Sequence, residues 1–476
     1  MSTFSDFIKD SSWAVGAQAV SLLTSIVVSF LLPKFVTVVD FGYWQYFLLW
    51  ASYVGVLHFG FGDGLYLKLG GQYWKDIDRQ LWMPRIMLCF LLQLGFSLVI
   101  VTAISLMFPS GSIYKTIFIW LSIYLIVENC YKITTLAMMA TDQMQYVSKT
   151  IIIDKLIMSL AVLSMILTES ANACTTICSY VASHAIVFVM VLYKTKPYRY
   201  AQRMFSSTVI KGTLSVCGVG IVLMLANIMS IFMVGICRLA VEHYWDIETF
   251  SKFSFSITIA SFFLVFISQI GYVLFPILKR MGQATQTMLF KSLDFLLTVL
   301  PIVSYVFFFA MYYIIKWWLP KYYDSLPFLA CTIPFICYET RVCMLYNTYF
   351  KNIGAIRQLL TINTVSIGSA ILFYWTAIYL HDINAMALGL LISEFLKVWF
   401  MRSYLSKKYP ISTFGVACFE TAYNCAFVAV FTYCGMEYTF GIYAISLALL
   451  YILFRKEFMN NIKYIKIEKS RQNNII

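Results

Sequence analysis

The feature that most restricts this chain is a succession of continuously apolar runs, from Trp13–Leu32 near one end to residues 413–434 near the other. Each is about 18 residues or longer, enough to cross roughly 30 Å of hydrocarbon as an α-helix. A membrane barrel is the other way to satisfy every backbone group in lipid, but its strands alternate apolar and polar residues, and these runs do not. Water is excluded as the main solvent by composition. The chain is 61% hydrophobic and only 12% charged, with a mean hydropathy of +0.79, whereas soluble domains carry about 25% charged residues.

The pattern predicts an all-α integral membrane protein with about 14 transmembrane helices. The spans are expected near 11–32, 42–62, 84–108, 113–140, 150–168, 172–193, 212–237, 250–275, 292–314, 326–350, 358–380, 385–402, 413–434 and 439–455. The first run is too long for a signal-peptide core and lacks an A-x-A-like cleavage site, so it is expected to be retained as span 1. No gap exceeds about 22 residues, which leaves no room for a soluble catalytic domain.

Charge distribution sets the expected orientation. With both termini in the cytoplasm, about 26 of the 35 Lys and Arg residues fall on the cytoplasmic side, about five (Lys34, Lys115, Arg238, Lys316 and Lys321) lie outside, and the rest lie within spans. The net charge of +13 is therefore read as the positive-inside rule, and no nucleic-acid partner is expected. The basic tail either grips anionic lipid head groups or simply ends the last helix on the positive side. The 12 cysteines lie mostly in apolar segments, with no C-x-x-C pair and no His at ligand spacing; they read as packing residues, and neither a metal nor another cofactor is expected.

Spans 1–6 and 7–12 repeat at an offset near 210 residues. Phe41 and Phe250 open spans 2 and 8, Lys68 and Lys279 follow them, Glu128 in span 4 matches Glu339 in span 10, and His184 in span 6 matches Glu394 in span 12. An even number of spans per copy makes the copies parallel, related by a pseudo-two-fold axis along the membrane normal. The expected organisation is a six-helix lobe over 1–211, a second over 212–412, two additional helices over 413–455, and a basic cytoplasmic tail over 456–476.

An ionisable side chain within a span costs about 2.5–3.5 kcal/mol on insertion scales unless it is paired or faces water. Glu128 and Lys132 lie at i, i+4 on span 4. Glu339 and Arg341 sit mid-span in span 10, where Pro327, Pro334 and Arg341 recur every seven residues, and Pro301 interrupts span 9. Under one reading Lys132 and Arg341 hold an anionic substrate group, Arg with the planar fork that suits phosphate. Under the other, Glu128–Lys132 and Glu339–Arg341 are neutralising pairs that lock helices. His184 and Glu394 either carry a coupling proton or pack as hydrogen-bonded groups. Asp154, Lys155 and Lys252 are expected near span ends, snorkelling, and Glu420 at the interface.

The stretch His58-Phe59-Gly60-Phe61-Gly62-Asp63-Gly64 is glycine-rich but follows no strand and precedes no Lys-Ser/Thr, so it is expected to end or bend span 2 rather than hold phosphate. No Walker A motif and no nucleophile–base constellation occurs, which argues against an enzyme. Trp74, Trp82, Trp245, Trp317 and Trp318 are expected in interfacial belts. Trp50, Trp120 and Trp375 lie deeper, stacking on sugars or facing lipid.

Several motifs together resemble a known family. Ser11-Ser12-Trp13-Ala14-Val15-Gly16 opens span 1 and Leu32-Pro33-Lys34 closes it; Asp40-Phe41-Gly42-Tyr43-Trp44 starts span 2 and Gly60-Phe61-Gly62-Asp63-Gly64-Leu65-Tyr66-Leu67 closes it; Val273-Leu274-Phe275-Pro276 ends span 8 and Tyr349-Phe350-Lys351 ends span 10. The chain in this respect resembles the bacterial O-antigen flippases (Wzx type) and other polysaccharide repeat-unit transporters of the multidrug/oligosaccharidyl-lipid/polysaccharide exporter superfamily. The resemblance implies a V-shaped pair of six-helix lobes around a cationic cavity, working by alternating access. It implies as substrate an undecaprenyl-pyrophosphate-linked oligosaccharide, moved from the cytoplasmic to the periplasmic leaflet of the bacterial inner membrane. Membrane lipids, a polysaccharide polymerase and a chain-length regulator are the implied partners. Many such flippases have twelve helices, so spans 13 and 14 are a departure; in lipid-flipping relatives an extra pair cradles the lipid tail. The alternatives are an ion-coupled multidrug exporter of the same superfamily, whose mark is a carboxylate cluster in the first lobe, and a membrane polysaccharide polymerase, which needs a long external loop that this chain lacks.

Overall fold

The computed structural model describes residues 4–70, 72–262, 278, 281–410, 414–441 and 443–445. Among these residues the chain is helical throughout and contains no strand. Nine helices among them are long and apolar enough to cross a membrane, so the chain is a multi-pass membrane protein of the all-α class. Most of span 14, the basic tail, the end of span 8 with its Val273–Pro276 motif, and Lys279 lie outside the described residues. Packing divides the chain into two compact units, Met1–Thr258 and Ile259–Ile476. That division follows which helices touch, whereas the boundary expected at 211/212 follows which helices repeat.

The first unit contains α1 (Phe4–Phe35), α2 (Val38–Ala51), a 3-10 turn (Val54–His58), α3 (Phe61–Leu69), α4 (Arg79–Met107), α5 (Ile113–Ala140), α6 (Met144–Leu167), α7 (Ala173–Thr195), a 3-10 turn (Pro197–Arg203), α8 (Ser207–Tyr244) and the start of α9 (Ile247–Ala260). The starts of α2, α4 and α7 follow from capping residues. Thr37 Oγ1 accepts from the amide of Asp40 at 3.0 Å. The Asp78 carboxylate accepts from the amides of Gln80 and Leu81 at 3.0 and 3.2 Å. Asn172 and Thr175 form a reciprocal capping box, relieving orphan donors that lipid cannot satisfy. Helix α1 lies on α6, α5 packs against α3, α4 and α7, and α8 runs along α3 and α4.

Span 2 is broken rather than ended at its glycines. Phe59 and Gly60 adopt left-handed backbone, with φ of 48° and 75°, and the chain resumes as α3. A break in hydrocarbon frees backbone carbonyls that must find donors. Asn129 Nδ2 of α5 donates to Val54 O at 2.9 Å and Gln93 Nε2 of α4 donates to Leu57 O at 3.0 Å; a further bond of 2.7 Å joins Asn129 to Gln93 Oε1. Small residues also set the approach of α8: a Cβ on Gly60, Gly64 or Gly220 would collide with backbone of the facing helix.

Two expectations for this unit are corrected. Trp74 and Trp82 are buried, at 8% and 9% exposure, in a core with Phe61, Leu65, Met83 and Val216, because the segment before α4 and the first turn of α4 pack onto the bundle, so their rings face protein instead of forming a lipid-facing belt. Arg238 is not in an external loop: α8 runs on to Tyr244, and the guanidinium donates to Gln45 O, Gln45 Oε1 and Ser254 Oγ.

The second unit contains α10 (Gln283–Trp318), a 3-10 turn (Pro320–Ser325), α11 (Leu326–Arg341), a π turn (Val342–Tyr346), α12 (Asn347–Asn352), α13 (Ile356–Leu380), α14 (Ile383–Ser406) and α15 (Phe414–Cys434). Helices α13 and α14 pair along their length, and α11 packs on α10, α14 and α15. Pro301 and Pro334 lie inside α10 and α11. The Ser304 hydroxyl donates to the proline's own carbonyl, Pro301 O, at 2.6 Å. The wide π turn begins directly after Arg341, a backbone irregularity that recurs at functional positions in helices.

Candidate functional site

The second unit has a charged core. Asp294, Glu339, Glu394 and Glu420 are buried there together with Arg341, Lys397 and Arg402. Arg341 forks Glu420 through Nη1–Oε2 and Nη2–Oε1 contacts of 2.9 and 2.8 Å. Lys397 Nζ reaches Glu339 Oε2 at 2.6 Å and the two oxygens of Glu394 at 3.0 and 3.1 Å. Cys343 Sγ donates to the other oxygen of Glu339 at 3.2 Å. Arg402 Nη2 lies 2.7 Å from Asp294 Oδ2, and the Tyr346 hydroxyl donates to Asp294 Oδ1 at 2.7 Å.

The Glu339–Arg341 pair expected as one alternative is not formed. Residues two apart on a helix point in widely different directions, so Glu339 turns to α14 and Arg341 to α15. Glu420, expected at the interface, is buried at 1% exposure. The reason is that α15 packs into α10 and α11 and uses Glu420 to neutralise Arg341. Lys397 and Arg402 on α14 and Asp294 on α10 complete the set. The i, i+3 spacing of Glu394 and Lys397 is the local signal that marks the first of them; the other partners are joined only by tertiary packing.

In the first unit, Asp154 does not snorkel. It is buried between α6 and α7, accepts from Ser183 Oγ at 2.8 Å, and lies 3.1 Å from His184 Nδ1 and 2.9 Å from Lys155 Nζ. Tyr124 and Tyr180 flank the His184 ring at centroid distances of 5.3 and 4.3 Å. Lys252 bridges Glu248 one turn away at 3.1 Å.

Glu128 is half-buried and Lys132 exposed, and among the described residues they form no ion pair with each other. Lys132 lies eight residues before the end of α5, about 12 Å along the axis. Its ammonium points at the break in span 2, where a Cβ on Gly55 would stand 3.3 Å from Nζ. His58 and Asp63, themselves 4.0 Å apart, are its electrostatic neighbours. The matching repeat positions thus differ in how they are joined: Glu339 and Glu394 share one lysine, whereas Glu128 and His184 both neighbour Tyr124 and Tyr180 without a shared ion pair among the described residues.

No family model and no curated protein matches the chain. Solved structures do. The fold is similar to that of a multidrug resistance MATE family transporter of the MOP superfamily in an inward-facing conformation, at 12% identity and a TM-score of 0.52, over 83% of this chain and 96% of that one. It is also similar to the lipid II flippase MurJ in an inward closed conformation, at 14% identity and a TM-score of 0.53, over 96% of this chain and 99% of that one. Both likenesses are of fold, and both neighbours are transporters.

Proposed function

We propose that this protein flips a lipid-linked, pyrophosphate-bearing oligosaccharide across the membrane by alternating access. Its cargo in this reading is an undecaprenyl-pyrophosphate-linked repeat unit of O-antigen type, carried from the cytoplasmic to the periplasmic leaflet of the bacterial inner membrane.

The observation that carries the reading is Lys132. A full positive charge inside a spanning helix, exposed and without a carboxylate in ion-pair contact among the described residues, is costly against lipid and stable against water. Such a cation is suited to an anionic group that enters from an aqueous path. In this conformation Arg341 is engaged by Glu420, so anion binding rests on Lys132, with Glu128 beside it. End-to-end likeness to a flippase of a lipid-linked cargo supports the same direction and argues against an enzyme.

Among the described residues of the second unit, four buried carboxylates accompany three buried cations. An uncompensated charge in such a core costs several kcal/mol, and two carboxylates sharing Lys397 are where one proton balances the count. Glu394, with Glu339, is therefore the proposed coupling group. A second reading, an ion-coupled multidrug exporter, is favoured by Asp154, a buried first-unit carboxylate held by His184.

Deleting the gene in the native host tests these readings. Single lipid-linked units trapped on the cytoplasmic face, with surface polysaccharide lost, are the expected result. Units that reach the periplasm unpolymerised would turn the reading to the polymerase step. Unchanged polysaccharide, with altered tolerance to drugs, would favour the exporter.

A further inference from the structure

Arg85 is a buried cation that no carboxylate pairs among the described residues. It lies on the second turn of α4, is 9% exposed, and its Nε is buried with no hydrogen-bond partner. Among the described residues it has no ion pair and no side-chain hydrogen bond. Its one specific contact is the ring of Trp82, 4.9 Å from the guanidinium carbon. Stacking satisfies the face of a guanidinium but none of its five N–H donors. Every other buried arginine of the described chain, Arg341 and Arg402, has a carboxylate.

The surroundings fit an anion. The guanidinium lies over Gly212 of α8, where any Cβ would collide with it, so a glycine holds this space open. One turn further along α8, Ser215 Oγ accepts from Lys68 Nζ at 3.4 Å. The 3-10 turn Pro197–Arg203 packs on α4. It belongs to a segment, Lys194–Lys211, with five basic residues (Lys194, Lys196, Arg199, Arg203 and Lys211) and no acidic one. The nearby Asp78 carboxylate is occupied with backbone amides of the α4 N-terminus.

We propose that Arg85 is the buried end of a phosphate-binding site for a lipid head group, at the membrane face that carries the basic α7–α8 segment. Phosphate matches the planar fork and the local excess of positive charge. Position at the head-group level, about 9 Å into α4, favours a lipid phosphate over a mid-membrane ligand. The site is separate from Lys132 and does not depend on which cargo is transported.

The test uses the full-length protein purified in a maltoside detergent, which carries no phosphate, with bound lipid read by native mass spectrometry. Phosphatidylglycerol and a short-chain polyprenyl pyrophosphate are titrated separately. Wild-type protein is expected to retain at least one of them. R85Q and G212A, the latter filling the space under the guanidinium, should weaken retention about tenfold or more; K75Q, at an exposed lysine between α3 and α4 whose ammonium lies over the Tyr73 ring, should leave it unchanged. Preference for phosphatidylglycerol identifies a bulk phospholipid as occupant; preference for the pyrophosphate identifies a cargo-type lipid. If R85Q is not recovered folded, R85K decides, because it keeps the charge and loses the fork, and weaker retention is again expected. Equal retention by wild-type and the variants, or no retention of either lipid by wild-type, would overturn the proposal.

Discussion

Arg341 on α11 and Glu420 on α15 meet as two parallel hydrogen bonds of 2.9 and 2.8 Å across 79 residues of sequence, with both side chains almost fully buried. The pair fixes α15 to the second unit. Removing one partner strands the other charge without water, whereas removing both does not.

R341A or E420A should therefore lower stability by about 3–5 kcal/mol, and the double variant R341M/E420M should recover most of that loss. Thermal unfolding of the purified proteins in one detergent checks the order. A double variant no more stable than the single ones would show that the pair is not the source of the cost.

Close approach of α3 and α8 depends on glycine at particular positions. Gly220 has the backbone of Gly60 and Gly64 where its Cβ would go, while Gly218 on the same helix has nothing within 4 Å. G220A should destabilise by about 1–3 kcal/mol. G218A should be neutral or stabilise by up to about 1 kcal/mol, through helix propensity alone. Similar melting temperatures for the two variants would contradict the packing described.

Lys397 serves two carboxylates, so the triad with Glu339 and Glu394 is neutral only with one added proton. Replacing Glu394 by Gln makes it neutral without that proton. E394Q should fold as well as wild-type, and its transport in proteoliposomes should lose most of its response to an imposed proton gradient. K397M leaves two buried carboxylates without their cation and should cost about 3–5 kcal/mol of stability. A gradient response in E394Q equal to wild-type would remove this triad from coupling.

Much of the fold is legible in the sequence because bilayer thickness converts apolar run length directly into helices. Span 4, expected at 113–140, is α5 over Ile113–Ala140, and the caps at Asp78 and Asn172 mark helix starts by local chemistry. The break in span 2 is legible as glycines at 60, 62 and 64. Its continuation into α3 is not, since that depends on Asn129 and Gln93 supplying donors from two other helices. Intramembrane charges at 128, 132, 339, 341 and 394 stand out against apolar surroundings, but their partners do not. Arg341 finds Glu420 and Glu339 finds Lys397 through packing between distant segments, and no spacing rule encodes that. Trp82 reads as a lipid-facing belt residue for the same reason: packing of the first turn of α4 against residues of other helices leaves no mark on hydropathy.

The central claim is that Lys132 holds the anionic group of a lipid-linked cargo inside the membrane. It is tested most directly in proteoliposomes, by measuring how fast a fluorescent polyprenyl-pyrophosphate-linked oligosaccharide becomes accessible to an external quencher. Wild-type protein should speed exposure above protein-free vesicles, K132Q should cut the rate about tenfold or more while melting like wild-type, and K132R should fall between them. Flipping by K132Q at the wild-type rate, or no flipping by wild-type protein, would contradict the account.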